Sequence, residues 1–113
     1  MLELFAGNRV SDLERAKDWY GRLLGSEPSF FPNEREAVWE LAEHRYIYVE
    51  RLEDGAGGAL HTVIVDDFDE RMAAIAGRGI EPAERETYSN GVRKWIFRDP
   101  DGNEIGFGGM PAA

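Results

Sequence analysis

Two stretches of the chain carry apolar residues at the spacing of a helix. In residues 13–24 the apolar side chains recur every three or four positions, and charged side chains lie mainly on the opposite side. Residues 68–76 carry a similar stripe. Gly25 and Gly79 stand just beyond these stretches, where helices commonly end in a left-handed residue. The pattern therefore predicts two amphipathic helices.

Both predicted helices begin with residues typical of a helix N-terminus. Ser11 with Glu14, and Asp67 with Glu70, have the spacing of a capping box. In this arrangement a side-chain oxygen accepts a hydrogen bond from a free amide of the first turn. Ser11 and Asp67 are therefore the predicted N-caps.

The chain repeats itself at an offset of 55 residues, because residues 10–13 match residues 65–68. A β-like run leads into each helix, and three short β-like segments follow it. The following segments are 30–31, 37–41, 45–50, 84–88, 92–97 and 104–107. We predict one domain over residues 1–113 with eight main strands. Module one covers about 1–54 and module two about 58–109, with a glycine-rich connector between them.

A tight turn near the end of the chain joins the last two predicted strands. Pro100 presets the φ angle of a turn corner, and Gly102 can adopt a positive φ. Asp99 can accept hydrogen bonds from the turn's own amides. The segment is therefore predicted to form a hairpin of an antiparallel sheet.

Composition and charge narrow the class of protein. The chain has 42% hydrophobic residues, which is typical of a globular domain, and no cysteine, which excludes disulfides and a thiolate nucleophile. Without a leader-like segment or a run near 20 apolar residues, we expect a cytoplasmic protein with no membrane partner. The net charge of −9 argues against nucleic acid as a partner. It is compatible with a cationic small molecule, although it also serves solubility.

The repeated strand–helix–three-strand pattern, together with residues 10–25 and 99–105, resembles the vicinal oxygen chelate superfamily. This superfamily contains glyoxalases, bleomycin-resistance proteins, fosfomycin-resistance thiol transferases, methylmalonyl-CoA epimerases and extradiol dioxygenases. The resemblance implies an α+β fold of two βαβββ modules, whose curled mixed sheets form a cup. It also implies a homodimer that completes the cup. The reaction must be argued from the site.

The metal enzymes of that superfamily carry ligands on the first and last strands of each module. In this chain the corresponding first-strand positions are Phe5 and Leu60, which offer only hydrocarbon. The last-strand positions are Tyr48 or Glu50 in module one and Gly106 in module two. At best one ligand of four remains, and one carboxylate does not hold a catalytic ion. We therefore expect no metal and no cofactor.

The two histidines do not change this expectation. His61 follows Leu60 by one residue, and a shift of one residue on a strand turns a side chain to the opposite face. We interpret His61 as a structural histidine near the boundary of sheet and helix. His44 lies at a predicted hairpin tip, in contact with solvent.

The two-residue period of the strands predicts which side chains line the cup. If the superfamily's metal positions mark its interior, the lining is mostly apolar and aromatic, with an empty volume at Gly106. Trp39 and Trp95 are added because tryptophan can hold a planar or cationic ligand. The predicted ligand-binding residues are Phe5, Gly7, Trp39, Tyr48, Glu50, Leu60, Thr62, Trp95 and Gly106.

Three functions remain open on the sequence. The leading hypothesis is metal-independent binding or sequestration of a small apolar or aromatic ligand, with Glu50 and Glu104 suited to a positively charged one. In this function the protein would resemble the bleomycin-resistance branch of the superfamily. A second hypothesis is a metal-free isomerase or lyase in which Glu50 or Glu104 acts as general base. The third is a structural or interaction module whose cup is filled by its own side chains.

Overall fold

The computed structural model describes residues 1–111 and contains two helices and seven strands within them. In chain order the elements are β1 (Leu4–Val10), α1 (Leu13–Leu24), β2 (Glu36–Ala42), β3 (Arg45–Arg51), β4 (Leu60–Val65), α2 (Phe68–Gly77), β5 (Glu84–Thr87), β6 (Arg93–Arg98) and β7 (Glu104–Gly109). Sheet one has the strand order β1-β3-β2, and sheet two has the order β4-β7-β6-β5. In each sheet the first and last strands of the module pair in parallel, and the remaining pairs are antiparallel. The fold is thus α+β with two small mixed sheets, as predicted.

Module one has one strand fewer than predicted. The segment expected at residues 30–31 forms only an isolated antiparallel bridge between Phe30 and Val38. Pro28 and Pro32 flank this bridge. Because proline has no backbone N–H, the segment cannot extend its pairing along β2. The expected eight main strands are therefore seven in residues 1–111.

The helix termini agree with the predicted positions in part. Asp12, not Ser11, is the N-cap of α1, and its side chain accepts a hydrogen bond from the Arg15 amide. The prediction of Ser11 as the N-cap is wrong, because its hydroxyl and its amide both donate hydrogen bonds to the Asp101 carboxylate. Gly25 has the predicted left-handed conformation, with φ of 80°.

Helix α2 begins and ends less regularly. Asp67 occupies the predicted N-cap position but makes no capping hydrogen bond with its side chain. Its carboxylate accepts hydrogen bonds from Arg71 instead. The C-cap is Arg78, and Gly79 follows it with a positive φ of 85°.

Both sheets and both helices contribute to one hydrophobic core. Trp39 and Ile47 enter it from sheet one, and Phe97 and Phe107 enter it from sheet two. Successive side chains of a strand alternate between the two faces of its sheet. The neighbouring residues on these strands therefore lie on the other face of each sheet, outside the shared core.

A buried network of polar side chains joins the two modules. The Tyr20 hydroxyl donates to Asp99 over 2.7 Å and accepts from the Asn8 side chain over 2.8 Å. The Asn103 side chain donates to the same Asp99 oxygen as Tyr20, and Nε2 of His61 lies 2.6 Å from the side-chain oxygen Oδ1 of Asn8. Burial and then the Asp99 carboxylate raise the pKa of Tyr20, which keeps this hydroxyl neutral. The network fixes the relative position of the modules.

Candidate functional site

The outward face of sheet one is aromatic. The strand register places Phe5 beside Tyr46, and Gly7 beside Tyr48, on one face. The Phe5 and Tyr46 rings are stacked with centroids 4.3 Å apart, and Phe5 meets Tyr48 edge-on at 6.5 Å. The Tyr48 ring lies directly over Gly7, where a larger residue would clash. We call the surface formed by Phe5, Gly7, Tyr46, Tyr48 and Glu50 the aromatic face.

Two acidic residues lie at the aromatic face: Glu3 borders it, and Glu50 is part of it. The Tyr46 hydroxyl donates to Glu3 over 2.8 Å, and this hydrogen bond raises the pKa of Tyr46 to about 12. Glu50 stands between Arg9 and Glu36 in the register of sheet one. Tyr46 therefore remains neutral at physiological pH, and its ring adds no charge to the aromatic face.

The outward face of sheet two has an aliphatic surface and one lysine. The register places Thr62 beside Gly106, and Ile64 beside Gly108. The Lys94 side chain lies across Gly106, with Cε 2.6 Å from the position that a Cβ of residue 106 would take. The empty volume expected at Gly106 is thus taken by the lysine stem. We call the surface formed by Leu60, Thr62, Ile64, Lys94 and Gly106 the lysine face.

Glu104 also borders the lysine face, but its carboxylate is occupied. Arg98 donates to Glu104 over 2.8 and 3.0 Å and also pairs with Glu84. This double pairing raises the pKa of Arg98. A carboxylate oxygen that already accepts two hydrogen bonds from a guanidinium is less available to a substrate or to a second cation. The structure therefore favours neither role expected of Glu104.

The two tryptophans predicted in the cup lie on the other face of each sheet. Trp39 is 1% exposed and belongs to the core, and its indole N–H donates to the Ser26 carbonyl over 3.0 Å. Trp95 packs edge-on against Phe68, with the Arg85 guanidinium over its ring. Both positions are consistent with packing. The structure does not bring these rings together with Phe5 or Tyr48.

The aromatic face and the lysine face do not form one cup within a single chain. Each lies on the side of its sheet that points away from the shared core. The cup expected between Phe5, Tyr48, Leu60 and Gly106 is therefore not enclosed by one copy.

Between the edges of β1 and β4 lies an open groove of about 1070 Å³. Of the predicted residues, Leu60, Thr62 and Trp39 line it. Ala6 and Val63, which the sequence analysis did not select, line it as well. The two-residue period could not identify them, because each is next to a selected residue on its strand and therefore points to the opposite face.

The superfamily's metal positions do not fit a divalent ion in this chain. Phe5, Leu60 and Gly106 have no side-chain lone pair, and the Lys94 stem lies across Gly106 where a ligand side chain would stand. His61 is on the opposite face from Leu60 and hydrogen bonds to Asn8. Among residues 1–111, no three side chains of His, Cys, Asp or Glu are grouped so that they could hold an ion.

We therefore expect untagged, dialysed protein to contain no stoichiometric zinc, nickel, manganese or iron. The side chains at these positions are hydrocarbon or lysine, and they cannot replace the imidazole and carboxylate ligands that such an ion needs. Elemental analysis measures this directly. Stoichiometric metal in the wild type that disappears in His61→Ala would show that His61 is a ligand and that this interpretation is wrong.

Comparison with known proteins agrees with the fold. A family model described as Glyoxalase/Bleomycin resistance protein/Dioxygenase superfamily matches residues 6–107, and the chain belongs to this superfamily. It is 50% identical to a glyoxalase/bleomycin resistance protein from Catenulispora acidiphila DSM 44928, with a TM-score of 0.95 over 98% of this chain and 100% of that one. No curated protein sequence matches the chain.

More distant structures share the fold alone. TioX from Micromonospora sp. ML1 is 21% identical, with a TM-score of 0.78 over 97% of this chain and 99% of that chain. A bleomycin-binding protein complexed with bleomycin is 16% identical, with a TM-score of 0.77 over 96% of this chain and 98% of that chain. No helix within residues 1–111 is both long and apolar enough to cross a membrane.

Proposed function

We propose that this protein is a homodimeric, metal-independent binding protein that sequesters a small apolar or aromatic molecule. The ligand would lie in a cup formed by the aromatic face of one copy and the lysine face of its partner. One observation carries this proposal: the two faces of a single chain point away from a common core, so neither is covered by that core.

Exposed apolar side chains on the strand edges support the dimer. Leu4 and Phe5 on β1 are 61% and 46% exposed, and Leu60 and Ile64 on β4 are 67% and 65% exposed. β1 and β4 are edge strands of their sheets, so one side of each backbone lacks a partner strand. Apolar edge strands are usually covered in folded proteins, and an isologous dimer is the commonest way for two copies to do so.

The chemistry of the aromatic face supports the ligand class. The stacked pair of Phe5 and Tyr46, with Tyr48 beside it, gives a planar molecule a flat apolar surface. Small-molecule sites are usually of this kind, mostly apolar with a few polar groups at the border. A protein of the same fold, the bleomycin-binding protein, binds a small molecule, bleomycin.

Fluorescence titration and light scattering test the proposal together. The probe is N-phenyl-1-naphthylamine, a neutral aromatic dye whose emission rises in apolar sites. We expect wild-type protein to scatter as a dimer of its 12.7 kDa chain and to bind the dye saturably. The double variant Leu60→Glu/Ile64→Glu should be a folded monomer without saturable binding, because two carboxylates cannot be buried unpaired at the edge.

The matched control is Phe31→Glu, which places a charge on an exposed aromatic residue outside both edge strands. This variant should remain dimeric and bind the dye as the wild type does. A wild-type protein that is monomeric at micromolar concentration would contradict the dimer. A dimer without saturable dye binding would instead favour a structural module with a filled cup.

A further inference from the structure

The two cations on the outward face of sheet two differ in whether they form an ion pair. Arg98 is paired with both Glu84 and Glu104. Lys94 has no carboxylate within 4.0 Å of its ammonium group in the described part of the chain, although Glu86 is its cross-strand neighbour. One positive charge on this face is therefore left without an ion pair.

The position of Lys94 is set by the neighbouring strand. Its stem lies across Gly106, which has no side chain of its own: Cε and Cγ of Lys94 are 2.6 and 3.6 Å from the position that a Cβ of residue 106 would take. Lys94 and Gly108 are cross-strand partners on this face, and Ile64 lies over Gly108. The lysine stem therefore lies on the surface of the sheet, beside Gly106 and Gly108 and near Ile64.

The groups around Lys94 are mostly hydrocarbon. Leu60 and Ile64 are exposed and apolar, and Ile96 is 7% exposed beside Gly106. Thr62 supplies one hydroxyl in register with Gly106. When a cup closes over such a surface, an unpaired ammonium loses water without gaining a partner, and this is costly. A ligand that brings a negative charge to Lys94 removes the cost.

Resting on the proposed function, we propose that the bound molecule is an apolar anion. Its carboxylate, sulfonate or similar oxyanion pairs with Lys94, and its apolar body lies on Leu60 and Ile64. The ligand charge is thus opposite to the one that Glu50 and Glu104 suggested from sequence. Because the chain has a net charge of −9, an unpaired cation at this place acts as a local selector for anions within an acidic surface.

Two dyes that differ by one sulfonate test this assignment. 8-Anilinonaphthalene-1-sulfonate is the anionic counterpart of N-phenyl-1-naphthylamine and has the same ring skeleton. Lys94→Met keeps the apolar stem and removes the charge. We expect this variant to bind the sulfonate about tenfold more weakly, since charge-assisted hydrogen bonds contribute this much or more. The loss for the neutral dye should be clearly smaller, because methionine keeps the apolar stem, so the ratio of the two affinities should change.

The control variant is Lys17→Met, which removes a lysine that pairs with Glu14 on the surface of α1. It should change neither titration. Equal loss of both dyes in Lys94→Met would show that Lys94 acts by packing, and unchanged sulfonate affinity would show that it does not meet the anion. Either result overturns the assignment of Lys94 to an anion. The proposed function still stands in both cases if the wild-type protein binds the neutral dye saturably. Failure of wild-type protein to bind either dye overturns the proposed function itself.

Discussion

Replacing Asp99 with alanine is expected to lower the free energy of unfolding by about 3–4 kcal/mol. Asp99 accepts hydrogen bonds from the Tyr20 hydroxyl, from the Asn103 amide and side chain, and from the Asp101 amide. Tyr20 and Asn103 are fully buried, so water cannot replace the lost acceptor. Urea denaturation followed by tryptophan fluorescence measures the change.

Two further variants separate the network from a general effect of losing an aspartate. Tyr20→Phe removes only one hydroxyl and should cost about 1–3 kcal/mol, because it leaves the Asn8 amide and one Asp99 oxygen with one partner fewer. Asp54→Ala, at an exposed position in the connector, should stay within about 0.5 kcal/mol of wild type. A loss below about 1 kcal/mol for Asp99→Ala would contradict the role assigned to this network.

Replacing Gly106 with tryptophan is expected to abolish saturable binding of N-phenyl-1-naphthylamine without unfolding the chain. The nearest atom to a new Cβ is Cε of Lys94, at the flexible end of a side chain that can move away. The indole would then occupy the volume above β7 that the proposal assigns to the ligand. Titration with the dye and a urea denaturation curve report binding and folding separately.

The matched control is Gly77→Trp, because no atom beyond the adjoining residues and backbone of α2 lies within 4 Å of a Cβ at that position. It should bind the dye as the wild type does. Tyr48→Ala should weaken binding by about twofold to tenfold, since an aromatic contact contributes about 0.5–1.5 kcal/mol beyond its buried area. Full dye affinity in Gly106→Trp would show that the ligand does not use the lysine face.

The sequence was sufficient for features that depend on neighbouring residues along the chain. The two-residue period correctly placed Phe5 with Gly7, and Leu60 with Thr62, because alternation is a local property of a strand. The left-handed Gly25 and the hydrogen bonds of the turn at Asp99 were likewise predictable. Each of these features is decided within a few residues.

Features that depend on distant residues were not predictable. Ser11 was expected to cap α1, but Asp101, which is 90 residues away in sequence, takes its hydroxyl. The empty volume at Gly106 is filled by Lys94, which reaches it from the adjacent strand. The period of a strand also does not say which face meets the core. Trp39 was therefore expected at the cup and lies on the other side of its sheet.

The relative orientation of the two sheets was the largest feature missing from the sequence analysis. A repeat of 55 residues predicts two similar modules but not how they pack. In the structure both helices and one face of each sheet share a core, so the candidate faces point outward. This packing is what makes a second copy necessary for the proposed cup.

A mixed dimer tests most directly whether the cup is formed between copies. One copy carries Tyr48→Glu, which places a charge in the aromatic face on the inner strand β3, away from the edge strands, and the other carries Gly106→Trp, which alters the lysine face. The two chains are co-expressed with different tags, purified through both tags and checked by light scattering. We expect each single-variant homodimer to bind no N-phenyl-1-naphthylamine, and the mixed dimer to regain one site, which is half of the wild-type stoichiometry. A mixed dimer that remains associated but binds no dye would contradict the account, because it would place each site within one chain.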